Sequence, residues 1–151
     1  ISNCNKVKIE CSTSFIVKSG HLSVFGCEDI TMDLVCTDIP IITVENSKKC
    51  FLRLGDFKKK KRKRVLTSRS TGISVRVSDK WFSVPSNRPT DNYFIITHVN
   101  KEGKVLSEIG VQHGLLVIPK SEFDMIQKKE KEEERKKKAA GHQRRMRHRD
   151  R

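Results

Sequence analysis

The sequence predicts a mainly β domain followed by a charged α-helix, α+β overall. Three observations predict it. Short runs from Lys6 to Ile118 alternate apolar and polar residues with a period of two. Clusters rich in Gly, Pro, Asn, Asp and Ser separate those runs at regular intervals. After Pro119 the alternation stops, and a charged stretch spaced for a helix takes over. An antiparallel sandwich, a barrel or a bent sheet would each satisfy the pattern. No repeat is clean enough to indicate a solenoid.

In chain order, "KVKIEC" places Val7, Ile9 and Cys11 on one face and Lys6, Lys8 and Glu10 on the other. "SFIVK" and "HLSVF" follow as shorter runs. "TMDLVC" sets Met32, Leu34 and Cys36 together, and "IITVE" and "CFLRL" continue the series. "GISVRV" puts Ile73, Val75 and Val77 inward, with Ser74 and Arg76 outward. "KWFSV" is a short strand, and the longer, more apolar "NYFIITHV" reads as a central one. Asn100-Lys101-Glu102-Gly103 suits a turn with Gly103 left-handed, closing a hairpin onto the next strand. "GLLVI" ends the β-rich part.

"SEFDMIQ" then opens a helix, with Ser121 as N-cap, Asp124 three residues on, and Phe123 and Ile126 facing the sheet. In "KKEKEEERKKKAA" the pairs Glu132–Lys136, Glu133–Lys137 and Glu134–Lys138 are in the favourable i,i+4 order, worth ~0.2–0.5 kcal/mol each. This segment has no apolar face, so it projects into solvent or lies on a partner. Gly141 is expected to end or bend it. The resulting partition is a near-neutral, Cys-containing β-rich part (1–57), a basic loop (58–64), a second β-rich part of the same domain (65–118), a charged helix (119–140) and an Arg-rich tail (141–151).

Charge is distributed unevenly over this plan. The chain's net charge is +14. Residues 1–57 hold 6 Lys+Arg against 7 Asp+Glu, residues 58–127 hold 14 against 6, and residues 128–151 hold 12 against 5. All the excess lies after Phe57. Such an imbalance repels itself and implies a polyanionic partner. Its densest point is Lys58, Lys59, Lys60, Lys61, Arg62, Lys63 and Arg64. That run fits a nuclear import signal and fits a phosphate-contacting loop equally well. A dibasic processing site before Val65 and a solvated loop are the other readings. Arg144, Arg145, Arg147, Arg149 and Arg151 form a second cluster, able to clamp phosphates or to fold on RNA. The alternative is a disordered, solubilising end.

Aromatic residues add less. Trp81, beside Lys80, and Tyr93 are the candidate outward rings for base stacking, with a core or edge-covering role as the alternative. The five cysteines, Cys4, Cys11, Cys27, Cys36 and Cys50, contain no Cys-x-x-Cys spacing, so no metal site is expected. Cys11, Cys36 and Cys50 fall at apolar strand phases, as buried free thiols do, which suggests a reducing compartment.

The residues favour binding over catalysis. Walker loops and dinucleotide fingerprints are absent, and no cofactor is expected. Asp33 in "TMDLVC", with Glu45 and Lys48 in "TVENSKK", resembles in its order the metal-dependent core of the restriction-endonuclease-like superfamily. The spacing is acid-x-x-Lys where that family has acid-x-Lys, which turns the Lys to the other strand face. His98 and His113, on the two sides of the hairpin, are a candidate acid–base pair for RNA cleavage.

The expected function is therefore nucleic-acid binding through two basic segments, RNA or a ribonucleoprotein ahead of duplex DNA, in the nucleus. A nuclease, or a scaffold whose residues 128–140 bind an acidic protein, are the alternatives, and secretion is the alternative location. No run is long enough to form a membrane-spanning helix.

Overall fold

The computed structural model describes the chain except for residues 11–19, 35–40, 55–62, 101, 150 and 151, with side chains described as far as Ala140. It is mostly β, with two mixed sheets and one C-terminal helix among the described residues. Eleven strands among the described residues precede the helix. They are β1 (Asn5–Glu10), β2 (His21–Phe25), β3 (Glu28–Asp33), β4 (Ile41–Glu45), β5 (Lys48–Arg53), β6 (Arg64–Ser68), β7 (Thr71–Val77), β8 (Lys80–Ser83), β9 (Phe94–Val99), β10 (Val105–His113) and β11 (Leu116–Pro119). Helix α1 spans Lys120–Arg149.

From β1 to β7 the chain alternates between the two sheets. The odd strands of this stretch build one, which β8 completes in the order β1-β3-β5-β7-β8. The even strands build half of the other, whose order is β11-β10-β9-β6-β4-β2. Each circuit adds one strand to each sheet, and the strands so added pair in parallel. This is the stacking of a solenoid. The expected antiparallel pairing is present from β7 onward, in β7–β8, β6–β9, β9–β10 and β10–β11. A period-two pattern states only that one strand face is buried. Pairing direction is set by the connections, which the pattern does not contain.

The core lies between the sheets. Val24, Ile42, Val44, Val65 and Ile95 on one side meet Ile30, Met32, Cys50, Leu52, Ile73 and Val75 on the other. Val7 and Ile9, half-buried, pack onto its edge. β9 is interior to the six-stranded sheet, as its apolar run indicates. Its turn into β10 closes through Gly103 N–H to Asn100 O (3.1 Å), with Gly103 at φ 79°. Asn100 Oδ1 also accepts from the backbone of Glu102 and Lys104.

The short corner of each circuit carries a repeated device. Cys4, Cys27, Ser47 and Ser70 occupy equivalent positions on successive levels. The backbone N–H of Cys4 points to Cys27 Sγ (3.5 Å), that of Cys27 to Ser47 Oγ (3.1 Å) and that of Ser47 to Ser70 Oγ (3.1 Å). Ser70 N–H donates to Asn87 Oδ1 (3.1 Å), which ends the ladder. Each of the first four side chains also donates to the carbonyl two residues before it. The backbone enters and leaves this corner in the left-handed region, at Asn3, Gly26, Asn46 and Arg69 and again at Lys6, Asp29, Lys49 and Gly72. At Gly26, with φ 63°, a Cβ would lie 2.6 Å from Asn3 Oδ1, so a side chain there would have to displace that amide.

α1 runs to Arg149, beyond Gly141 where the sequence suggested an end or bend. Ser121, the expected N-cap, falls inside its first turn. Half-buried Phe123 and Ile126 are the docking residues, and the Phe123 ring meets His113 edge-on at 5.6 Å. Residues 127–140 are exposed throughout. Glu132 and Lys136 form the expected pair at 3.1 Å.

Candidate nucleic-acid interface

Lys58, Lys59, Lys60, Lys61 and Arg62 lie outside the described residues; their neighbours do not. The basic run belongs to the connection from β5 to β6, and its two flanks are fastened together. Lys63 Nζ donates to Leu54 O (3.0 Å) and to Leu34 O (3.1 Å), one level away. Lys63 is thus a structural clamp within the run. Arg64 opens β6, exposed, in register with Ile41 on one side and His98 on the other.

The wet face of the five-stranded sheet continues from this point. Asp33, Arg53 and Arg76 are in register across β3, β5 and β7, and Arg76 is in register with Trp81 on the edge strand β8. Arg53 holds Asp33 at 3.0 Å. Arg76 lies 5.9 Å from the centre of the Trp81 ring and 3.5 Å from the Asp79 carboxylate. Phe51, one row away, meets Trp81 edge-on at 6.0 Å. Ser74 stands between them on β7, and its small side chain leaves room for the contact. Trp81 is 49% exposed and Phe51 37%. Phe82 turns inward onto the core, so alternation fixes Trp81 outward as expected. Tyr93 differs. It packs against the core and donates its hydroxyl to Asp91 (3.2 Å), so it is not a free ring.

Arg144, Arg145, Arg147 and Arg149 belong to the last turns of α1, beyond the described side chains. Arg151 lies outside the described residues. Of the cysteines, Cys4, Cys27 and Cys50 are free thiols, while Cys11 and Cys36 lie outside the described residues. Cys50 is fully buried, and burial first, with the neighbouring Cys27 second, pushes its thiol up to about 11.

The candidate catalytic groups are not brought together. Glu45 ends a strand of one sheet, while Asp33 and Lys48 belong to the other. Lys48 is in register with Glu28 at the far end of β3 from Asp33, about 16 Å away at the rise of a strand. Asp33 is engaged by Arg53. His98 is in register with Leu106 and approaches Glu108 (3.8 Å), whereas His113 lies seven residues further along β10, about 24 Å away. No group of three His, Cys, Asp or Glu suited to a metal occurs among the described residues.

The alignment of Arg53 and Arg76 with Trp81, and the contact of Phe51 with that ring, are not visible in the order of residues. Their signal is the step between levels. Asp33 to Arg53 is 20 residues, as is Cys27 to Ser47, and Arg53 to Arg76 matches the 23 residues from Ser47 to Ser70. Comparison with protein-family models and with curated proteins gave no match to this chain.

Proposed function

We propose that this chain binds nucleic acid, RNA ahead of duplex DNA, through the basic run Lys58–Arg64 and the cationic end of α1. The observation that carries the reading is the clamp of Lys63 on Leu54 and Leu34. It holds the base of the run at the end of β5, next to the Arg53–Arg76–Trp81 row. Three cationic groups thereby share one molecule whose first 57 residues are close to neutral. Clustered Lys and Arg neutralise backbone phosphates without reading sequence. α1 docks through its first two turns and is exposed on all sides from residue 127 to 140, a projecting helix that suits crevices in folded RNA. That exposed stretch is also where a protein partner would lie. The composition of the run is that of an import signal, and the nucleus is the proposed compartment.

The test is a fluorescence-anisotropy titration with a labelled single-stranded RNA, the matching DNA duplex and heparin. It is run at two salt concentrations, with and without magnesium, and the probes are inspected afterwards on a gel. Salt-sensitive binding that prefers a nucleic acid to heparin, with intact probes, supports the proposal. Equal affinity for all three reduces the basic segments to a general polyanion patch. Probes shortened only with magnesium would replace binding by cleavage.

A further inference from the structure

We infer that the outer face of β5, β7 and β8 is a stacking platform for single-stranded nucleic acid, with Trp81 and Phe51 taking bases and Arg53 and Arg76 taking phosphates. This rests on the nucleic-acid reading above and specifies its ligand class. Two aromatic rings are exposed here on an otherwise hydrophilic sheet face, in contact with each other and flanked by cations. Burial does not account for them, because the core lies on the opposite side of these strands. Exposed rings beside guanidinium groups recognise a ligand that offers π faces and negative charge in alternation. A single strand does so, whereas a duplex keeps its base faces stacked inside.

Arg53 and Arg76 stand beside the rings on β5 and β7, whereas on β1 Lys8 is paired with Glu10. The Asp33–Arg53 pair does not prevent phosphate binding. Both side chains are solvent-accessible, and exposed ion pairs are worth ~0–1 kcal/mol. A phosphate can therefore share or take over the guanidinium.

Trp81 is the only tryptophan in the chain, so its emission reports on this face alone. The experiment titrates the full chain with an oligouridylate, a DNA duplex of equal length and heparin. Tryptophan emission is followed together with anisotropy. Quenching by the oligouridylate and not by the duplex is the expected result. Trp81→Ala should weaken oligouridylate binding about tenfold, and Trp81→Phe should retain most of it. Circular dichroism checks the fold of both variants. If Trp81→Ala unfolds, quenching of the unaltered chain and the affinity of Trp81→Phe still decide.

Oligouridylate that binds without quenching, and whose affinity survives Trp81→Ala, overturns the platform and leaves the nucleic-acid reading standing. Heparin that quenches equally, and is weakened equally by Trp81→Ala, makes the face a sulfated-polysaccharide site and also overturns it. Failure of both nucleic acids to bind overturns the underlying reading itself.

Discussion

Asn87 Oδ1 accepts the backbone N–H of Ser70 at 3.1 Å, and Asn87 Nδ2 donates to Tyr93 O at 3.1 Å. One buried amide thereby joins the last rung of the corner ladder to the segment that leads into β9. Replacing it with Ala leaves at least one buried donor and one carbonyl without partners, at ~1–3 kcal/mol for each buried group. Asn87→Ala should therefore lower stability by about 2–3 kcal/mol, read as a shift in the urea midpoint at unchanged m. Cys27→Ser keeps the ladder's geometry with a better acceptor and should cost less than about 0.5 kcal/mol. Equal midpoints for Asn87→Ala and the unaltered chain would show that the ladder is not a stabilising unit.

Lys63 and Arg64 are adjacent in the basic run but differ in role. Lys63 Nζ satisfies two carbonyls on neighbouring levels, while the Arg64 side chain is exposed at the start of β6. Lys63→Gln should lower stability by about 1–2 kcal/mol, since bonds to a charged donor are among the stronger ones. Arg64→Gln should stay within about 0.5 kcal/mol. Urea unfolding of the two variants checks this. On the proposed reading the run would contact phosphates through Lys58–Arg62 and Arg64, and substituting those residues while keeping Lys63 tests that reading with the Lys63 clamp intact.

These two cases show what the sequence made legible. Alternation identified the inward residues Ile73, Val75, Val77, Met32 and Leu34, because one-sided burial imposes a period of two whatever the pairing. It did not reveal the solenoid. The levels are offset by 23, 20 and 23 residues, and the ladder position changes in chemistry from Cys at two levels to Ser at two and finally Asn. The left-handed residues at the corner are mostly Asn, Asp, Lys and Arg rather than Gly, so the turn signal is diluted. The basic run was obvious from composition. The row Arg53–Arg76–Trp81 was hidden, since its members are neighbours only once the levels are stacked in register.

Cys50 supplies a prediction about pH. Its side chain is fully buried and its thiol is pushed up from 9.0 to about 11, chiefly by burial. A folded-state value above the unfolded one means that the protonated thiol's contribution is complete below pH 9 and is lost as pH rises toward 11. Stability measured by urea unfolding should fall across that window, and Cys50→Ala should flatten the fall while lowering stability at neutral pH. Iodoacetamide at pH 8 should label Cys50 only after denaturation, because the thiolate is the reactive form. Rapid labelling of Cys50 in the folded chain would contradict its placement in the core.

The last prediction separates the helix's anchor from its charged extension. Phe123 and Ile126 are half-buried against β10 and β11, whereas residues 127–140 are exposed throughout. Deleting residues 128–151 removes 12 Lys+Arg and 5 Asp+Glu but no described buried side chain. Calorimetry should show the melting temperature changed by no more than about 2 °C. Phe123→Ala removes the apolar packing on His113 and should cost about 1–2 kcal/mol, so it should lower the melting temperature more than the whole deletion does. If α1 also engages phosphate, the deletion should reduce the slope of log affinity against log salt, by roughly 0.7–0.9 for each phosphate that the helix neutralises. A large drop in melting temperature on deletion would mean that the extension docks on the sheets, and the charges at its end would then serve the fold before any ligand.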